Sequence, residues 1–213
     1  MSGAFVQAPR HRPLVSPLPG AAVESLATLL PQLPPMGVGA ESAEAVTEAW
    51  RDRCGVQLCE LARFTLFALG GDAPPLSAPV GGRARRATGA DRDLLVAWFH
   101  DLKAAHPGDP SDLAFVVDDS LGDGAVVVWE DETGPVAMAS RTPVVAGMTR
   151  MGAVFPPGAA GDAAFTAACA QAAQEAQDVL VLAPAHSSAG GRRYRDLGFS
   201  PVLDRVVLGP PAA

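Results

Sequence analysis

The sequence predicts an α/β protein with a mixed central sheet flanked by helices, and three stretches in its second half predict it. Residues 148–155 (MTRMGAVF) read as a strand closing on Pro156-Pro157, residues 163–177 as an alanine-rich helix, and 178–184 (DVLVLAP) as a second apolar strand. Val179, Leu180, Val181 and Leu182 run without polar alternation, as expected of a strand covered on both faces. A further helix ends on Gly198, a residue that takes the left-handed backbone at low cost, and a final strand follows to Leu208. Strands and helices in this alternation belong to layered α/β architectures.

From the N-terminus, Arg10 leads into a short strand at Leu14-Val15, and Pro19-Gly20 turns into a helix over 21–30 with Val23, Leu26, Leu29 and Leu30 on one face. A short strand is expected at Met36 to Val38. Ser42 starts a second helix that carries Glu44 early, Arg51 and Arg53 late, and Gly55 as its stop. Ala45, Val46, Ala49 and Trp50 make its buried face, and 56–69 reads as strand. Residues 70–82 (GGDAPPLSAPVGG) hold too much Pro and Gly to continue regular structure. The expected domains are therefore a small α/β module over 1–71, a linker over 72–82 and a larger domain over 83–213.

In that larger domain, 83–87 is a short strand and Thr88 to Asp91 start a helix with Leu94, Leu95, Trp98 and Leu102 at helical spacing. Pro107 to Pro110 turn, and Ser111 caps a shorter helix. Strands follow at 125–130 and 136–140, joined by a turn at Glu132-Thr133-Gly134. Strand resumes at Val144-Val145, and Ala146-Gly147 turn into the strand from Met148.

The order strand, loop, helix, strand, then a helix ending Tyr194-Arg195-Asp196-Leu197-Gly198-Phe199, resembles the GCN5-related N-acetyltransferase superfamily over roughly 83–208. The resemblance implies acyl transfer from a thioester, normally acetyl-CoA, to an amine. In that family the donor's pyrophosphate rests on backbone amides of a loop R/Q-x-x-G-x-G/A that opens the central helix. Ala160-Gly161-Asp162-Ala163-Ala164-Phe165 stand where the family shows R-G-R-G-Y-G. The loop keeps Gly158 and Gly161, offers no Lys or Arg, and places Asp162 at the helix start, where it reads as an N-cap competing for the same amides. Weakened or absent binding of the CoA pyrophosphate is expected, so the expected thioester donor is an acyl group on the phosphopantetheine arm of a carrier protein rather than free acetyl-CoA, with acyl-CoA as the alternative. The resemblance places Val154, Phe155, Gly158, Gly161, Ser187 and Arg192 at the donor and Trp129 and Arg141 at the acceptor, a small-molecule amine. It further implies that the 1–71 module is a partial, eroded copy of the same fold.

Tyr194 occupies the position at which the family protonates the departing thiolate. A phenol with an ordinary pKa near 10 stays protonated for that task, while plain packing of the ring on the sheet is the alternative. His186 follows the carboxyl end of the 178–184 strand, where open α/β sheets bind ligands, and could orient or deprotonate an amine; a surface loop histidine is the alternative. Ser187 and Ser188 also fit as N-caps of the next helix, and Trp129 also fits in the core. Asp118 and Asp119 precede Gly122 and read as a solvated turn, with acceptor-side carboxylates as the alternative. A charged tRNA as donor and a non-catalytic sensor are the other functional readings.

The net charge of −7 and pI near 5.0 argue against a surface built broadly for nucleic acid. Cys54, Cys59 and Cys169 lack C-x-x-C spacing and read as reduced and buried. No metal-ligand spacing and no long apolar span appear, so no metal, no tightly bound cofactor and no membrane association are expected, with a cytoplasmic location. Oligomeric state leaves no trace in the sequence.

Overall fold

The structure, a computed structural model, describes residues 3–7, 11–32, 34–69, 81–106, 111–185 and 188–211. The expectations for Arg10, most of the linker, Pro107 to Pro110, His186 and Ser187 fall outside those residues. In chain order the elements are β1 (Phe5–Val6), β2 (Leu14–Val15), α1 (Gly20–Leu29), β3 (Met36–Gly39), α2 (Ala43–Cys54), β4 (Cys59–Leu69), β5 (Arg83–Arg86) and α3 (Arg92–Ala105). A π-helical segment, Ala114–Asp119, runs into α4 (Ser120–Gly122). Then come β6 (Val126–Asp131), β7 (Gly134–Arg141), β8 (Met148–Phe155), α5 (Ala159–Glu175), β9 (Asp178–Pro184), α6 (Ser188–Asp196) and β10 (Ser200–Gly209).

The chain forms two compact units that do not follow the expected sequence division. The first comprises Met1–Phe67, Leu182–Arg193 and Pro201–Ala213, and the second Ala68–Val181 and Tyr194–Ser200. The reason is strand pairing: β10, expected in the larger domain, lies antiparallel to β3, with Val206 opposite Val38. In this first unit β2 is parallel to β3 and antiparallel to β1. Val23, Ala27, Val46, Ala49 and Trp50 from α1 and α2 close over Met36, Val38, Val206 and Leu208. Leu29 is 76% exposed, so the apolar face of α1 stops short of its last residue. Ala45 is likewise exposed rather than buried. Gly55 ends α2 at φ 66°, the left-handed cap read from the sequence.

In the second unit β5, β6, β7 and β8 are successive antiparallel neighbours and β9 joins β8 in parallel, so the sheet is mixed. Leu95, Phe99 and Val117 pack on one face with Val126, Val128 and Met138. Buried small residues of α5, among them Ala163, Ala164, Ala168 and Ala172, allow close helix approach. The start of α3 is fixed by charge. Arg85 donates to both carboxylate oxygens of Asp91 at 2.7 and 2.8 Å and from Nε to Glu130 at 2.6 Å, and the Thr88 amide donates to Asp91 at 2.8 Å.

Several local expectations are corrected. Asp112, not Ser111, caps the segment after α3, accepting from the Phe115 amide at 2.9 Å. Val144-Val145 does not resume a strand; Val145 makes a single bridge to Met148 around Ala146 and Gly147, both at positive φ. β9 alternates, with Val179, Val181 and Ala183 buried and Leu182 36% exposed, so one of its faces is incompletely covered. Of the cysteines only Cys169 is fully buried. Among the described residues no helix is long and apolar enough to cross a membrane, and no cluster of metal-ligating side chains occurs.

Candidate functional site

The local sequence makes β8 leave its neighbour. β8 pairs with β9 only at Met148, Thr149 and Arg150, opposite Asp178, Val179 and Leu180. On its other side it stays with β7, and there the register shifts between Ala139 and Arg141. The bulge is held by Ser140, whose buried Oγ accepts from the Ala153 amide at 3.0 Å. A Cβ at Gly152 would stand 2.9 Å from that Oγ, so a larger residue there would displace it. A bulge bends its strand and increases its twist. From Met151 to Phe155 the β9-side edge of β8 therefore has no strand partner among the described residues. An open edge of this kind offers backbone donors and acceptors to an extended, amide-bearing ligand.

Beyond Phe155 the chain turns through Pro156, Pro157 and Gly158, with a cis bond between Phe155 and Pro156 and Gly158 at φ 110°. α5 begins at once, at Ala159, and Gly158 is its N-cap. The Asp162 amide donates to the Gly158 carbonyl at 2.9 Å, so Asp162 is a fourth helical residue and not the N-cap expected from the sequence. The six residues expected to form a phosphate loop are wound into the helix, and Gly161, Ala163, Ala164 and Phe165 are buried. The amides of Gly158, Ala159, Ala160 and Gly161 precede the intrahelical ladder. At Gly161 a Cβ would stand 2.0 Å from the Pro156 carbonyl oxygen, which lies against the first turn of the helix.

Tyr194 is fixed by the end of its own helix. The Phe199 amide donates to the Tyr194 carbonyl and the Gly198 amide to that of Arg195, each at 2.9 Å, with Gly198 at φ 87°. This is a Schellman motif, and the apolar pair that accompanies such motifs is Tyr194 with Phe199, ring centroids 5.9 Å apart. Phe165 of α5 completes an aromatic cluster, 6.0 Å from Tyr194 and 6.4 Å from Phe199. Phe165 and Phe199 are buried and Tyr194 is half-buried.

No protein-family profile and no curated relative matches this chain. Solved structures do. A GCN5-related N-acetyltransferase from Sphaerobacter thermophilus matches with a TM-score of 0.68 at 16% identity, covering 99% of this chain and 77% of that one. Another from Kribbella flavida matches with a TM-score of 0.60 at 21% identity, covering 95% and 82%. A functionally unknown conserved protein from Staphylococcus epidermidis matches with a TM-score of 0.61 at 10% identity, covering 95% and 85%. The chain has the fold of the GCN5-related N-acetyltransferases.

On this acetyltransferase fold the expected site residues separate. Val154, Phe155, Gly158 and Gly161 gather where β8 ends and α5 begins, with the Val154 side chain 3.4 Å from where a Gly161 Cβ would lie. Tyr194 reaches α5 through Phe165. Arg192 is exposed on α6 and falls in the first unit. Arg141, expected at the acceptor, is buried rather than displayed. Opposite Met151, it is ion-paired with Glu175, the last residue of α5, about 25 Å of helix away from Gly158. Trp129 is also buried, with Nε1 2.6 Å from where a Cβ of Gly82 would lie, so it serves the core. Asp118 is paired with Arg92 at 2.8 Å instead of standing free in a turn. What sequence reading missed is the open β8 edge and Ser140. A Ser-Arg step beside a Gly-Ala step carries no periodic signal for a bulge.

Proposed function

We propose that this protein is an N-acyltransferase that takes its acyl group from a phosphopantetheine thioester, presented by a carrier protein, and passes it to the amine of a small molecule. The observation that carries the proposal is the unpaired edge of β8 running up to the start of α5. The amide groups of a pantetheine arm can pair with such an edge as an added strand would. The wound-up loop at α5 favours the phosphopantetheine form over CoA, since the few leading amides of a loop that itself carries no Lys or Arg can receive a single phosphate group but give a pyrophosphate little hold.

In the reaction the amine nitrogen attacks the thioester carbonyl and the C–N bond forms. Collapse of the tetrahedral species breaks the C–S bond, and the thiolate takes a proton from the Tyr194 hydroxyl. The proton lost by the amine returns to the phenolate through water, so amide and free thiol are the products. A charged tRNA is a poorer donor for this surface. Arg51, Arg53, Arg63, Arg83, Arg85, Arg86, Arg92 and Arg141 are all engaged with carboxylates.

The test uses S-acetyl-4′-phosphopantetheine and carrier-loaded acetyl groups with a panel of primary amines, products being followed by mass. Turnover is expected for the parent protein and a fall of about 10²-fold for Tyr194→Phe, which keeps the ring packing. Absence of product from every thioester, or parent-rate turnover by folded Tyr194→Phe, contradicts the proposal.

A further inference from the structure

We propose that Phe165 is a positioning residue that holds the Tyr194 ring, and with it the hydroxyl, in one place relative to the start of α5. Three ring contacts carry the inference. The Tyr194 ring meets Phe199 edge-on at 66°, and that contact belongs to the end of its own helix. A cap contact of this kind ties the ring only to local chain. The Phe165 ring meets Tyr194 at 53° and Phe199 at 27°, closing a triangle whose third corner stands on a different element.

Phe165 lies six residues after the first residue of α5, the helix whose start adjoins the open edge of β8. It is 2% exposed, so it is itself held on all sides. Aromatic pairs at these separations prefer defined tilts over free sliding, and two such neighbours leave the Tyr194 ring one orientation. A side chain that must deliver a proton loses rate steeply when its atom wanders by a fraction of a bond length, so a locked neighbour contributes to rate without touching substrate. The geometric part stands on the ring contacts, and its consequence for turnover rests on the acyl-transfer reading above.

Tyr194 is the single tyrosine of the chain, which makes the geometry directly readable. Protein labelled with ring-13C tyrosine gives signals from this residue alone. In the full chain with Phe165→Leu those signals are expected to move towards the shifts of free tyrosine. In Phe99→Leu, an equally buried core change on the other face of the sheet, they should stay where they are. With S-acetyl-4′-phosphopantetheine as donor, Phe165→Leu should lower kcat about tenfold at unchanged KM. Added to Tyr194→Phe, the same substitution should lower kcat no further. Unmoved tyrosine signals overturn the proposal, and so does an equal loss of kcat with and without the Tyr194 hydroxyl, which would make Phe165 plain core. If Phe165→Leu fails to fold, Phe165→Met is read in the same way. A parent protein that turns over no thioester overturns the acyl-transfer reading instead, and the tyrosine signals then decide the clamp alone.

Discussion

Gly161 and Gly158 read alike in the sequence, as glycines that let amides approach phosphate oxygens, yet they do different things. Gly158 supplies a positive φ just before α5, while Gly161 lets the Pro156 carbonyl lie against the helix. Gly161→Ala should therefore destabilise the protein by about 1–3 kcal/mol, because a Cβ 2.0 Å from a backbone oxygen forces the turn to move. Urea unfolding would show it, and an unchanged midpoint would mean that the turn yields freely. The need for glycine was legible at both positions. The reason was legible at neither, since close approach between segments leaves no local pattern. Tyr194, Gly198 and Phe199 were more transparent: one spacing encodes a left-handed cap and its apolar pair, so the segment is recognisable whatever the hydroxyl does.

Among the elements, α5 was found by composition but its start was placed too late. Ala159 and Ala160 have high helix propensity and follow the two prolines and Gly158, so the helix winds as soon as the turn allows. Reading Asp162 as a cap by residue type overlooked that. Most strands were legible to within a residue or two, but β1 was not, β4 starts three residues after its expected start, Val144-Val145 is no strand, and nothing marked where β8 stops pairing with β9. At α3 the staple of Asp91, Arg85 and Glu130 joins a helix start to two strands. Hydrogen bonds from Arg85 hold the buried Asp91 carboxyl well below the usual carboxylate range, with Thr88 adding to the effect. A carboxylate whose folded-state pKa is depressed stabilises the fold fully above its unfolded value near ~3.9, and that stability is lost as pH falls below it. Asp91→Asn should thus cost about 2 kcal/mol at pH 7, and the gap from the parent should narrow below about pH 4. Urea unfolding at neutral and acid pH checks this; a gap that is constant with pH would show that the charge does not matter.

For the molecule as a whole, the α/β class and mixed sheet were legible because helical and strand periods alternate clearly after Arg83. The partition into units was not. It depends on β10 returning to β3, a pairing between segments some 170 residues apart that no local signal announces. The charge balance was legible as a sum and not as an arrangement, since several arginines face carboxylates distant in sequence, as Arg86 and Arg141 share Glu175. The central claim is a donor held by its pantetheine arm at the β8 edge without a pyrophosphate grip at α5. Calorimetric titration of the full chain with acetyl-CoA and, separately, with S-acetyl-4′-phosphopantetheine tests it most directly. Dissociation constants within about threefold of each other are expected, because the nucleotide half of CoA then adds almost nothing. A submicromolar constant for acetyl-CoA with binding about a hundredfold weaker for the shorter donor, a difference of about 2.7 kcal/mol, would contradict it.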